Sequence, residues 1–192
     1  LPGLTWTRLM ALEESARSLA VAQPHPVDIG LINDVPFLLW AGIGLDGFIV
    51  NRIEPRGRWE KIFSMLHYGA ASIWEAGSWH GMNMQVEVDG FPIEGHFLLA
   101  VASNIHLYAG GLVNISPHAL IDDGEMDLWL CKGEALIDAA RAAWDLLYGK
   151  HVSSQQVHYM PFRELSIHSV SPAFFQVDGE PISHTDLIQL VN

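Results

Sequence analysis

The chain is poor in several residue types, and each shortage excludes a class of protein. Cys131 is the single cysteine among 192 residues, so no internal disulfide can form and a reducing, cytoplasmic compartment is expected. Only 10 Lys and Arg face 22 Asp and Glu. The net charge of -12 therefore argues against nucleic acid as a partner and against broad adhesion to an anionic membrane. No apolar run reaches the roughly 18 residues of a membrane-spanning helix.

Apolar residues are plentiful by contrast. Hydrophobic side chains make up 49% of the sequence and charged ones 17%, which is enough to bury a sizeable core. Seven Trp residues supply core anchors, and an excess of large aromatics also suits a surface that meets apolar ligands. The composition is that of a folded globular chain, and its aromatic content is compatible with a surface that binds apolar ligands.

Periodicity predicts a mainly β chain of the α+β class. Helical spacing of apolar residues appears in Leu9–Val21, Gly57–Ser78 and Glu134–Tyr148. Short runs of β character, separated by turn residues, are Val27–Ile32, Pro36–Ala41, Met82–Val88, Glu94–Ser103, Met126–Cys131, Gln155–Tyr159, Glu164–His168, Ala173–Val177 and Leu187–Val191. Many short strands at close spacing predict a sandwich or barrel rather than a parallel doubly wound sheet.

The segment from Gly42 to Gly47 matches the glycine pattern G-x-G-x-x-G after a predicted strand. A dinucleotide site would also need a full helix, a second parallel strand and an acid about 20 residues further on. Pro55 follows within a few residues, and the next long element is another helix. The glycines therefore favour a tight turn from strand to helix with close backbone packing.

The densest acidic cluster runs from Asp122 to Asp127 around Gly124. It lacks the alternating acids and the final Glu of an EF-hand loop. Adjacent acids and a glycine can still hold a hard cation through one carboxylate and nearby backbone carbonyls, and a solvated turn is the competing interpretation. The ten His residues show no metal-ligand spacing, which argues against a zinc site.

Two segments of the chain share the pattern V-D-G-x-P-I, at residues 88–93 and 177–182. Asp-Gly between strands is a turn signal, so both are predicted to be hairpin turns of one design. The variable position is Phe91 in the first and Glu180 in the second. A carboxylate at a rigid turn can act as a general base toward a hydroxyl. An exposed Glu without a chemical role is the alternative.

Seven short pieces of the chain form a recognisable series when taken in order. They are Val27–Gly30, Phe37 with the Gly42–Asp46 turn, Ala102–Asn104 with Gly110–Gly111, Ser116–Ala119, Asp122–Gly124 with Asp127, Gly149–His151 and Val177–Glu180. Together they resemble the C-terminal half of the diacylglycerol kinase catalytic family, which includes sphingosine kinases and bacterial soluble lipid kinases. Two positions depart from the family pattern, Gly47 where Ala is usual and Ala109 where a third glycine is common.

The resemblance implies a two-layer β-sandwich-like domain of the NAD kinase and diacylglycerol kinase type. It also implies an ATP-binding domain upstream, for which this sequence has no Gly-Gly-Asp-Gly-Thr loop. Residues 1–26 would then form a helix and connection from that nucleotide-binding domain. Residues 27–192 would form the domain that binds substrate and cation, inactive without its partner domain.

Site residues follow from the same resemblance. Glu180 is implied as the base that accepts the proton of the lipid hydroxyl during transfer of the ATP γ-phosphate. Asp123 is implied as the ligand of a structural Mg²⁺, distinct from the magnesium that accompanies ATP. The backbone carbonyls of Leu120 and Glu125 would be co-ligands, and Asp122 would act through water.

The implied partners are a lipid alcohol at a membrane surface and the nucleotide-binding domain. A cytoplasmic protein with transient peripheral membrane contact is expected, and association into a homodimer stays open. The lipid itself is not specified by the sequence. Two alternatives remain beside the kinase: a non-catalytic lipid-binding or interaction domain on the same scaffold, and a relative of NAD kinase.

Overall fold

The computed structural model describes residues 12–53, 79–108 and 113–191. Three α-helices lie in these ranges, and none of them is long and apolar enough to cross a membrane. The predicted helix Gly57–Ser78 lies outside the described residues, whereas the other two predicted helices are confirmed. The helices are α1 (Leu12–Ala20), α2 (Leu45–Ile53) and α3 (Leu136–Leu147), and a short 3-10 helix follows α3 at His151–Ser153.

β-Structure is the predominant regular structure of the described chain, as the sequence predicts. The strands are β1 (Gly30–Ile32), β2 (Val35–Phe37), β3 (Trp40–Gly44), β4 (Met82–Val88), β5 (Phe91–Ser103), β6 (Leu107–Tyr108), β7 (Val113–Asn114), β8 (Met126–Lys132), β9 (Val157–Phe162), β10 (Glu164–Val177) and β11 (Glu180–Val191).

Nine strands belong to one sheet, and every pairing among the described residues is antiparallel. The long strands β5 and β10 each pair with β4 along one half and with β3 along the other. This exchange of partners folds the sheet over on itself into sandwich-like layers. The predicted β-sandwich-like α+β fold is confirmed, and the strands of the described ranges include no parallel pair of the kind a dinucleotide fold needs.

The main core lies between these layers. Along β4, side chains alternate strictly between the buried interior and solvent, which is the period expected of a strand with one covered face. Phe97 and Phe162 are among the largest fully buried side chains, and burying one such side chain stabilises a fold by about 1.5–3 kcal/mol. Cys131 is also buried in the core.

Several predicted strands have different bounds in the structure. Three of them are shifted or longer at one end, so that Glu94–Ser103, Gln155–Tyr159 and Leu187–Val191 correspond to β5, β9 and β11. Residues 27–29 are not a strand, because Asp28 N donates to the Ile121 carbonyl at 2.8 Å instead of to a neighbouring strand. The predicted strand Pro36–Ala41 is interrupted at residues 38 and 39, whose amides bond to a side chain described below. The two predicted strands Glu164–His168 and Ala173–Val177 are one strand, β10, with a register shift between them.

Candidate active site and cation site

Glu180 begins β11, directly after the turn that Asp178 and Gly179 form at the end of β10. Both turn residues have positive φ, 49° and 89°, as a tight hairpin turn of this type requires. The Asp178 carboxylate accepts hydrogen bonds from the backbone amides of residues 38, 39 and 40 at 2.8–3.1 Å. Asp178 N donates in return to the Trp40 carbonyl at 3.0 Å. The turn is thereby fixed to the start of β3, and the side chain of Glu180 is exposed.

The other V-D-G-x-P-I segment, at residues 88–93, forms the same turn between β4 and β5, so the predicted pair of hairpins is confirmed. Its Asp89 carboxylate accepts bonds from Arg163 N at 3.1 Å and Glu164 N at 2.8 Å, and Asp89 N donates to the Glu164 carbonyl at 2.9 Å. Each aspartate therefore holds the first residue of a neighbouring strand. Phe91, in the place of Glu180, is 75% exposed.

Asp123, Leu120 and Glu125, the residues predicted around the cation, line one cavity of about 160 Å³. Residues 122–125 form an acidic turn. Within it, Asp123 Oδ1 accepts a hydrogen bond from Glu125 N at 3.1 Å, which stabilises the conformation of the turn. The Glu125 carboxylate pairs with Arg163 at 3.3 Å. No group of three or more His, Cys, Asp or Glu side chains suited to a metal occurs in the described ranges. The predicted site would use one carboxylate and two backbone carbonyls, so it does not depend on such a side-chain group and remains a prediction.

Asp122 does not line this cavity. Its carboxylate Oδ2 lies 2.7 Å from His25 Nε2, on the segment that precedes β1. The two adjacent aspartates therefore have different surroundings, and the predicted secondary role of Asp122 remains a prediction.

Asp127 lines the same cavity and was not predicted as a site residue. It is 7% exposed, and its Oδ1 accepts a hydrogen bond from the Tyr159 hydroxyl at 3.0 Å. Burial raises the pKa of the Asp127 carboxyl, and hydrogen bonds from Tyr159 and Ser116 oppose this rise. Asp127 is thus a third carboxyl group on the wall of this cavity, with Asp123 and Glu125. The family pattern, which includes Asp127, was the available signal.

Asn104 connects the acidic turn with the Glu180 turn. Its buried side-chain amide donates to the carbonyl of Asp28 at 2.9 Å and to that of Leu38 at 3.1 Å. Asp28 holds the acidic turn through a bond from Gly124 N to its carboxylate at 2.8 Å. Leu38 donates its amide to Asp178 at 2.9 Å. Two regions about 50 residues apart in sequence are thus attached to one buried side chain.

The glycine-rich segment forms a close-packed turn from β3 to α2, as predicted. A Cβ at Gly42 would overlap the Asp46 carboxylate, and Gly44 has φ of 85°. A Cβ at Gly47 would overlap the backbone of Phe174 and Phe175 in β10. The glycine at 47, where the family usually has Ala, thus allows α2 to lie directly on β10.

The domain is a two-layer antiparallel β-structure. It has an acidic hairpin held by hydrogen bonds to Asp178 and a separate cavity lined by acidic residues. Residues 41–191 match the family model of the YegS C-terminal NAD kinase beta sandwich-like domain. The chain belongs to this family.

The relatives agree with this assignment. The chain is similar to the diacylglycerol kinase of Bacillus subtilis (strain 168), with 23% identity over 156 residues, 81% of this chain and 50% of the relative. A crystal structure from Bacillus anthracis str. Sterne aligns with a TM-score of 0.69, 21% identity, 93% of this chain and 58% of the other. A diacylglycerol kinase structure from the same organism aligns with a TM-score of 0.59, 17% identity and coverages of 93% and 55%.

The chain spans about half the length of the curated relative that it matches. The resemblance to the diacylglycerol kinase family that the sequence analysis describes is confirmed as one to the C-terminal domain of that family.

Proposed function

We propose that this chain is the substrate-side domain of an ATP-dependent lipid kinase. Its substrate would be diacylglycerol or a related lipid alcohol, taken from a membrane surface by a cytoplasmic protein. The nucleotide would bind to a separate domain, and the chain alone would not turn over. The observation that supports the proposal is the position of Glu180. Its exposed carboxylate directly follows a turn that is held in place by three hydrogen bonds from backbone amides to Asp178.

In the proposed reaction the oxygen of the lipid hydroxyl forms a bond to the γ-phosphorus of ATP. The bond between that phosphorus and the bridging oxygen breaks, ADP leaves with the electron pair, and the hydroxyl proton passes to Glu180. A base for this step must lie within hydrogen-bond reach of the hydroxyl, which is why a rigid turn suits it. Because Glu180 is exposed, the lipid hydroxyl and the ATP bound to the other domain could both reach it.

The acidic cavity would hold a structural Mg²⁺ through the Asp123 carboxylate and the carbonyls of Leu120 and Glu125. All-oxygen donors are the ligands that this cation prefers. The Glu125 carboxylate is paired with Arg163, which is consistent with a contribution through its backbone. When bound, the ion would neutralise the acidic turn and fix its conformation.

The test of the base is Glu180→Gln in the complete enzyme, assayed by transfer of labelled phosphate from ATP to diacylglycerol in vesicles. We expect kcat to fall by about 10²- to 10⁴-fold with folding unchanged, because the proton has no acceptor. The matched control is Phe91→Gln at the other turn, which should leave kcat unchanged. Full activity of Glu180→Gln would remove the proposed base. Lipid binding without any phosphate transfer by the wild type would instead favour a non-catalytic lipid-binding domain.

The test of the cation site compares neighbouring aspartates. Mg²⁺ at 100 times its Kd should stabilise the wild type by about 2.7 kcal/mol, seen as a higher Tm. Asp123→Asn should abolish the increase, whereas Asp122→Asn should retain most of it, because Asp122 contacts His25 outside the cavity. A full increase in Tm for Asp123→Asn would contradict the assignment.

A further inference from the structure

A buried side-chain amide lies directly beneath the Glu180 turn. Gln176, two residues before Asp178, is 1% exposed. Its Oε1 accepts a hydrogen bond from Gly179 N at 2.7 Å, and its Nε2 donates to Asp46 Oδ2 at 2.6 Å. One amide group therefore connects the backbone of the turn with the first turn of α2.

The Asp46 carboxylate is bonded on both oxygens. Oδ2 accepts from Gln176, and Oδ1 accepts from the hydroxyl of Tyr108. The carboxylate occupies the space that a side chain at Gly42 would need, so β3 has a glycine at this point. Burial raises the pKa of the Tyr108 hydroxyl well above its ordinary value, so this group stays protonated and donates at neutral pH.

The Tyr108 ring closes this set of contacts back onto the turn. It packs edge-on against the Trp40 ring, with centroids 5.5 Å apart. Trp40 N donates to the Asp178 carboxylate at 3.1 Å. Starting from Asp178, the contacts run through Trp40, Tyr108, Asp46 and Gln176 and end at Gly179, the next residue. The backbone before Glu180 is held from two sides.

The other V-D-G-x-P-I turn supplies an internal comparison. Asp89 holds the start of β10 as Asp178 holds the start of β3. The position that corresponds to Gln176 is Glu87, which is exposed. The shared aspartate thus accounts for the shape of either turn, whereas the buried glutamine belongs to the turn with Glu180.

We propose that Gln176, Asp46 and Tyr108 are positioning residues that hold the Glu180 turn in the geometry for proton transfer. This inference rests on the proposed role of Glu180. A displacement of about 1 Å in a reacting group can cost about 10²-fold in rate, so a second hold on the turn has a chemical consequence. The network acts through the orientation of the turn that carries the base.

The first part of the test measures kcat and KM separately in the complete enzyme. Gln176→Leu keeps a side chain of similar size and removes both hydrogen bonds, so kcat should fall about 10- to 100-fold with KM within about threefold. Tyr108→Phe keeps the contact with Trp40, is the milder change for folding, and should lower kcat by about three- to tenfold. Glu87→Gln, at the corresponding position of the other turn, is the control and should match the wild type.

The second part repeats each change in a Glu180→Gln background, with single-turnover rates measured for the residual activity. If the network acts through Glu180, Gln176→Leu should change the residual rate by less than about twofold. Rates that multiply, or a normal kcat in folded Gln176→Leu and Tyr108→Phe, would overturn the proposal. Failure of the base itself is distinguishable, because Glu180→Gln alone would then keep full activity. If Gln176→Leu does not fold, Tyr108→Phe decides the outcome.

Discussion

The two V-D-G-x-P-I turns differ in sequence at a single position, and their backbones and aspartate contacts are alike. Around this common design, one turn has Phe91 after it and an exposed Glu87 before it. The other has Glu180 after it and the buried Gln176 before it. The residues that both motifs share therefore specify a hairpin. The residues that differ, Glu180 after the Asp-Gly pair and Gln176 before it, give one hairpin a carboxylate and a buried side chain that holds the turn.

The largest effect on stability is expected behind the Glu180 turn, where α2 lies on β10. Gly47→Ala should destabilise the fold by about 2–3 kcal/mol, because the added Cβ would overlap the backbone of Phe174 and Phe175, which must shift. Gly90→Ala in the other turn should cost only about 1 kcal/mol, from its φ of 83°, since its Cβ would meet nothing within 4 Å. Urea unfolding measures both changes. Equal losses would show that α2 can move away from β10 freely.

A smaller difference is expected between the two aspartates. Asn tolerates a positive φ, so Asp178→Asn and Asp89→Asn keep the turn and weaken the bonds to the amides. Asp178 serves three amides and Asp89 two. We expect losses of about 1–2 kcal/mol for Asp178→Asn and about 1 kcal/mol for Asp89→Asn, from the free energy of unfolding. A larger loss at Asp89 would contradict the ranking of the two anchors.

The smallest effect of the turn variants is expected on the reactivity of Cys131. This buried thiol reports whether a variant at either turn leaves the core intact. Burial, with the nearby Asp138 and Asp145, raises the pKa of the thiol to about 11. At pH 8 only about 1 thiol in 1,000 is ionised, so alkylation by iodoacetamide should be slow in the native protein and rapid after unfolding. The turn variants should react as slowly as the wild type. Rapid alkylation of a variant would mean that its effect is global.

Local sequence predicted the turns, the glycine-rich junction and most strands, because these depend on neighbouring residues. The strand errors have long-range causes. Residues 27–29 leave the sheet because Asp28 bonds to the acidic turn, and the strand break at 38 and 39 arises because their amides bond to Asp178, about 140 residues away in sequence.

The same limit applies to the site. Glu180 and Asp123 could be predicted as site residues because motifs surround them. In the network beneath the turn, Asp46 lies 62 residues from Tyr108 and 130 residues from Gln176 in sequence. No spacing rule connects positions so far apart. Their association becomes visible only when α2, β6 and β10 are brought together by the fold.

The most direct test of the account exchanges the two residues that distinguish the turns, Glu180→Phe together with Phe91→Glu, in the complete enzyme. The exchange leaves composition and net charge unchanged, so only the location of the carboxylate differs. We predict that phosphate transfer to diacylglycerol falls by about 10²-fold or more, as in Glu180→Phe alone, while unfolding stays cooperative. Turnover near the wild-type rate would contradict the claim that the Glu180 turn is the catalytic one.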